Sequence, residues 1–194
     1  MTESESESEA VQPGETEETE PVEEADTGTE GAKVLVAYFS ATNTTEGVAE
    51  HIANGLNADL YEIVPEEPYT DADLNYNDNN SRSTIEMNDP SARPAVSGFV
   101  ENMEQYDIVF IGFPNWWASI PMPLASFLEE YDFTGKTIIP FCSHGGGRFG
   151  QSLTAIGKLA PDAVMGEALA VHYSGGNSLP EDVSAWLKEN GITE

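Results

Sequence analysis

Three stretches of this chain, residues 34–39, 107–113 and 136–141, are continuously apolar after their first residues, Asp107, Lys136 and Thr137 being the exceptions, rather than apolar at alternate positions. Successive side chains of a strand point to opposite faces, so such a run needs cover on both sides. Helical patterns separate these runs. Residues 46–56 carry Val48, Ile52 and Leu56 four apart, and residues 122–130 follow Pro121. Residues 151–159 form a further helix, and 96–103 a weaker one. Ser178 and Glu181 have capping-box spacing before a last helix through Trp186 to Lys188. Residues 59–64, closed by Pro65, and 163–171, interrupted at Gly166, complete five strands. Strands alternating with helices predict an α/β fold: a three-layer, doubly wound, five-stranded parallel sheet. Ligands of such sheets sit at the carboxyl ends of the strands, where the winding reverses.

The first strand runs into Ser40, Ala41, Thr42, Asn43, Thr44 and Thr45, and then into a helix. Free backbone N–H groups and the positive end of the helix dipole meet there. This is a phosphate site built without Lys or Arg. The simpler alternative is that Thr44 or Thr45 only caps the helix.

Two further loops are expected at the same edge. Pro114, Asn115, Trp116 and Trp117 follow the second apolar run. Adjacent residues tend to point opposite ways, so one indole serves the core and the other is free to lie against a flat ring. Ser143, His144, Gly145, Gly146, Gly147, Arg148, Phe149 and Gly150 follow the third run. Gly145, Gly147 and Gly150 have the spacing of a dinucleotide fingerprint, but on the fourth strand rather than the first. The preferred reading is that these glycines let backbone N–H groups approach a ring. His144 either bonds a ligand or packs its loop. His51 and His172 are read as structural, Cys142 as a small buried hydrophobe, and no metal site is expected.

Residues 38–46, Tyr-Phe-Ser-Ala-Thr-Asn-Thr-Thr-Glu, resemble the FMN phosphate loop of flavodoxins, Ser/Thr-x-Thr-Gly-Asn-Thr. Ser40, Thr42 and Thr45 match; Asn43 stands where the family has Gly, and Thr44 where it has Asn. Gly-Phe-Pro-Asn-Trp resembles the family's second loop, whose Trp stacks on the isoalloxazine. The match falls on Trp116, with Trp117 as the alternative. The resemblance spans most of residues 33–190 and implies strand order 2-1-3-4-5. It implies FMN held by Ser40, Ala41, Thr42, Asn43, Thr44, Thr45, Pro114, Asn115, Trp116, Trp117, Ser143, His144, Gly145, Gly146 and Phe149, with no catalytic side chain. The implied function is an electron carrier between redox partners. The alternative is an NAD(P)H-dependent FMN oxidoreductase that reduces a quinone or other small acceptor.

The formal net charge of −28 disfavours nucleic acid and anionic membranes as partners and favours a redox protein with a basic surface. No stretch is long and apolar enough to span a membrane. Residues 1–30 hold twelve acids and neither Lys nor Arg, so residues 1–31 are expected to be a disordered acidic tail before a domain over 32–194. The chain shows no secretory signal, which gives a cytoplasmic expectation by default. The tail equally suits the spacer of a surface-anchored protein whose signal has been removed. Residues 65–95 are too long for an ordinary connection and read as an ordered excursion or flap. Their two cations, Arg82 and Arg93, are read as clamps on nearby carboxylates, with a ligand-facing role as the alternative.

Overall fold

The computed structural model describes residues 31–194. Of the acidic tail expected over residues 1–31, all but Gly31 lies outside the described residues. β1 (Val34–Tyr38) leads through a tight turn into α1 (Thr44–Leu56) and then β2 (Asp59–Glu62). A short antiparallel ribbon, β3 (Val64–Pro65) with β4 (Val96–Ser97), closes off the excursion, which contains α2 (Arg82–Asn88). There follow β5 (Ile108–Pro114), α3 (Met122–Glu130), β6 (Thr137–His144), α4 (Ser152–Leu159), β7 (Val164–Met165), β8 (Leu169–His172) and α5 (Leu179–Glu189).

The main sheet is parallel throughout, in the order β2-β1-β5-β6-β7, with β8 on the upper half of β6. β7 and β8 share the fifth position, so the order is the expected 2-1-3-4-5. The unbroken apolar runs have a direct physical cause. Leu35, Ala37, Val109, Ile111 and Phe113 face one core layer with Leu124 and Phe127 of α3 and Ile156 of α4. Val36, Tyr38, Ile108, Phe110 and Phe141 face the other, with Val48 and Ile52 of α1 and Trp186 of α5. Each Val, Leu, Ile or Phe side chain among them contributes about 1.5–3 kcal/mol by leaving water. Gly112 is required because any Cβ there would overlap the Phe141 ring.

The structure departs from the sequence expectation in four elements. The strand expected over residues 59–64 ends at Glu62, and Val64 and Pro65 leave the main sheet for the antiparallel ribbon. Residues 96–103 do not form a helix. Val96 and Ser97 join the ribbon, Gly98 and Asn102 take left-handed angles, and only Met103–Gln105 makes a 3-10 turn. The last strand is divided because a side chain replaces the ladder. Asn190 bonds the backbone N–H and C=O of Glu167 at 2.8 and 3.1 Å, and a Cβ at Gly166 would strike its Oδ1. The capping box does not form either. Ser178 already has helical angles, makes no side-chain cap, and donates to Gly175 O at 3.1 Å.

The excursion is ordered by its own contacts. Arg82 pairs with Glu86 at 2.7 Å, donates to Glu67 O at 2.6 Å, and lies 4.2 Å from the centre of the Tyr69 ring. The Tyr69 hydroxyl donates to Glu86. Arg93 grips both carboxylate oxygens of Glu129 on α3, at 2.8 and 2.7 Å. Both arginines therefore have the clamping role.

Candidate functional site

The turn after β1 is shaped by Asn43, whose φ of 58° is left-handed. Asn tolerates this angle better than most residues, which is how it stands in for glycine. Asn43 occupies the cap position of α1 and its side chain makes no capping bond. Thr44 and Thr45 are already helical, so the reading in which one of them caps the helix does not hold. The first-turn amides of an α-helix have no intrahelical acceptor, and here no side chain caps them. Thr42 and Thr44 share a hydroxyl contact at 3.3 Å. Thr45 is buried, and its hydroxyl meets that of Ser143 at 2.7 Å, tying α1 to β6. Ser40 Oγ is buried and has no hydrogen-bond partner.

The second loop is a tight turn. Trp116 N donates to Ser119 O at 3.1 Å and Ser119 N to Trp116 O at 2.8 Å. The residues between them, Trp117 and Ala118, have φ of 48° and 58°. Two successive left-handed residues make a type I′ turn, uncommon without Gly or Asn and strained for an indole-bearing residue. The tryptophans divide as expected. Trp116 is half-buried and packs edge-to-face with Phe39 at 5.4 Å and Tyr69 at 5.3 Å. Trp117 is 41% exposed. Both indoles line the cleft between this loop and the first; Trp117 is the more exposed, and Trp116 meets Phe39, Tyr69 and Trp117 edge-on.

A cleft of about 500 Å³ lies between these two loops. Ser40, Ala41, Thr42, Thr45, Pro114, Asn115, Trp116 and Trp117 line it, together with Leu74, Tyr76 and Ser83 of the excursion. Sequence reasoning marked the excursion as a flap but missed these three residues. Tyr76, an exposed aromatic in a polar segment, was the available signal. Asn115 is wired on both sides: its N donates to Ser143 O at 2.9 Å and its Nδ2 to Arg148 O, while its Oδ1 is buried without a partner.

Ser143, His144, Gly145, Gly146 and Phe149 of the third loop do not line this cleft. Phe149 packs against the core. A Cβ at Gly150 would overlap Ala118 O, and one at Gly147 would come within 3.1 Å of Asn115 Nδ2. These two glycines therefore let the tryptophan turn sit down on the third loop. His144 Nδ1 accepts from Gly146 N at 2.9 Å, and its ring centre is 5.6 Å from that of His172. Burial, then the neighbouring His172 and Arg148, lower its pKa. The Cys142 thiol is pushed up to about 12 by burial, so it is a packing residue at neutral pH. Among the described residues no group of three His, Cys, Asp or Glu could hold a metal, and no helix is long and apolar enough to cross a membrane.

The arrangement joins an uncapped helix N-terminus to an exposed indole across a cleft at the carboxyl edge of a parallel sheet. A family model described as flavodoxin matches residues 33–190. The chain belongs to the flavodoxin family. Among solved structures, this flavodoxin-family chain is similar to a provisionally assigned flavoprotein from Bacteroides eggerthii DSM 20697. The two are 41% identical over 84% of this chain and 99% of that one, with a TM-score of 0.75. A second provisionally assigned flavoprotein, from Bacteroides uniformis ATCC 8492, is 38% identical over 81% and 98%, also at 0.75. A flavoprotein in complex with FMN from Lactobacillus acidophilus NCFM is 19% identical over 80% and 98%, with a TM-score of 0.61, and shares the fold. No curated protein matched the sequence.

Proposed function

We propose that this flavodoxin-family protein binds FMN non-covalently in the cleft and carries electrons between redox partners. One observation carries the reading: Ser40 and Asn115, one on each loop, line the same cleft, and each holds a buried side-chain oxygen, Ser40 Oγ and Asn115 Oδ1, without a partner. Leaving a buried polar group unpaired costs about 1–3 kcal/mol, which a ligand with the complementary atoms recovers. FMN has those atoms: phosphate oxygens that accept from a hydroxyl and from helix N-terminal amides, and a ring imide N–H that donates to a carbonyl. Bound FMN supplies the one- and two-electron redox chemistry. Ser40, Thr42 and the first turn of α1 would hold the phosphate, Asn115 would orient the ring, and Trp117 would cover a face. The strongly acidic chain favours a docking partner with a basic surface.

Titration of FMN fluorescence with the purified protein tests the reading. Quenching and a yellow, FMN-loaded protein are expected. A colourless protein that leaves FMN fluorescence unchanged would overturn it.

One observation favours the second reading, an NAD(P)H-dependent FMN oxidoreductase. Leu74, Tyr76 and Ser83 of the excursion line the cleft, giving walls suited to a small acceptor. Stopped-flow mixing of the loaded protein with NADH and NADPH separates the two. Rapid bleaching without a separate reductase selects the enzyme; persistence of colour selects the carrier.

A further inference from the structure

We propose that Tyr69, hydrogen-bonded to Glu86, is a proton-coupled electron donor that refills a tryptophan of the cleft after that indole has lost an electron. The inference rests on the FMN reading above, because illuminated oxidised flavin is the oxidant it names. Trp116 and Trp117 line the cleft, and their ring centres are 6.4 Å apart. Tyr69 is not among the lining residues and reaches the cleft through Trp116, whose ring centre lies 5.3 Å away. Both separations are those of aromatic rings in edge-to-face contact. Electron exchange between π systems falls steeply with distance, so contact favours it. Phe39 also meets Trp116, at 5.4 Å, and Tyr69, at 5.9 Å. An unsubstituted benzene ring is far harder to oxidise than an indole, so the path from the cleft leads to Tyr69.

The surroundings of Tyr69 tie its electron to its proton. The phenol O–H donates to Glu86 Oε2. Arg82 Nε holds the other oxygen, Oε1, at 2.7 Å and so fixes the carboxylate against the phenol. The Arg82 guanidinium lies 4.2 Å from the centre of the Tyr69 ring. A cation over a ring opposes positive charge on that ring. Tyr69 therefore gives up an electron only if the phenolic proton leaves with it, and Glu86 is placed to take that proton. Burial, then the Glu86 carboxylate, raise the phenol's pKa, so the proton is there to be moved. Tyr76 also lines the cleft, but its hydroxyl has no hydrogen-bond partner among the described residues. The step balances within the protein. An indole of the cleft loses one electron to illuminated flavin. Tyr69 passes one electron to that indole and one proton to Glu86 Oε2, leaving a neutral phenoxyl radical and a carboxylic acid. Return of the electron and the proton by the same route restores both. The tryptophans are thereby spared the irreversible addition of oxygen that a persisting indole radical invites.

The experiment uses the full chain loaded with FMN, followed by transient absorption after a light flash in water and in heavy water. In wild type the indole radical should give way to the narrow tyrosyl band, more slowly in heavy water because a proton moves. Tyr69→Phe removes one oxygen and keeps the ring; it should bind FMN as wild type does, lose the tyrosyl band and keep the indole radical longer. Glu86→Gln, which keeps the phenol but removes the base, should lose the band too. Tyr76→Phe should retain it. After prolonged illumination, peptide mass spectrometry should find more oxidised Trp116 and Trp117 in Tyr69→Phe than in wild type. A tyrosyl band that never forms in wild type, that forms equally fast in heavy water, that persists in Tyr69→Phe or Glu86→Gln, or that disappears in Tyr76→Phe overturns the proposal. A wild type that binds no FMN sinks the functional reading alone. The same flash with a ruthenium polypyridyl and persulfate as the oxidant then tests the relay directly, so the two failures are distinguishable.

Discussion

The turn after β1 and the loop after β6 differ in what their special residues serve. Both follow a buried parallel strand, both contain left-handed residues, and both precede a helix. The first leaves its potential unspent: an uncapped helix end, and a buried hydroxyl with no partner on Ser40, which lines the cleft. The second is consumed by the protein. Gly147 and Gly150 admit Asn115 and Ala118, the Arg148 carbonyl holds the Asn115 amide, and Ser143 holds Thr45. A glycine that permits close approach does not say whether protein or ligand approaches. Ser40 and Asn115 combine an unpartnered buried oxygen with a place in the cleft wall, whereas Ser152 Oγ, just after the third loop, is unpartnered away from it.

The largest effect should come from Gly150→Ala. Its φ of 52° and the overlap of a Cβ with Ala118 O would lift the tryptophan turn off the third loop. Expected is a loss of about 2–3 kcal/mol of stability in urea unfolding, with poor FMN binding as a consequence. Stability equal to wild type would break the contrast between the two loops. Ser40→Ala should do the opposite. Removing an unpartnered buried hydroxyl leaves the free protein as stable as wild type or more so, but weakens FMN by about 1.5 kcal/mol, roughly tenfold in Kd. Loss of stability in the ligand-free variant would show that the hydroxyl serves the fold.

Thr45→Val cuts the side-chain bond between Thr45 and Ser143 that links the two regions and leaves Ser143 Oγ buried. It should cost about 1–2 kcal/mol in the same unfolding assay, with a smaller change in FMN Kd than Ser40→Ala. The smallest effect is His144. Its pKa is lowered in the folded state, so below the unfolded value of about 6.5 the unfolded chain binds more protons and stability rises with pH. Its contribution is present above that value and lost as pH falls below it. The stability difference between pH 7.5 and pH 5.5 should be smaller in His144→Gln than in wild type.

Much of the fold was legible because strand burial leaves a mark on every position. The runs at 34–39, 107–113 and 136–141 needed no partner to be recognised. Ser40, Thr42, Asn43 and the tryptophans were legible in kind, since hydroxyls before a helix and paired indoles after a strand are unusual. What could not be read was allocation. Asn190 replacing a sheet ladder and Gly150 yielding to Ala118 are contacts between residues distant in sequence, with no periodic trace.

The amino-acid sequence alone determined the layers, the parallel sheet and the edge where a ligand would lie, because hydrophobic patterning is local and repeats with the backbone. Only the tertiary structure decided which indole is the more exposed, that Tyr76 of the excursion reaches the cleft, and that Gly147 and Gly150 of the third loop are packed by the tryptophan loop. Each of those outcomes depends on which surface a side chain meets after folding. That is a property of packing between elements, and no single element encodes it.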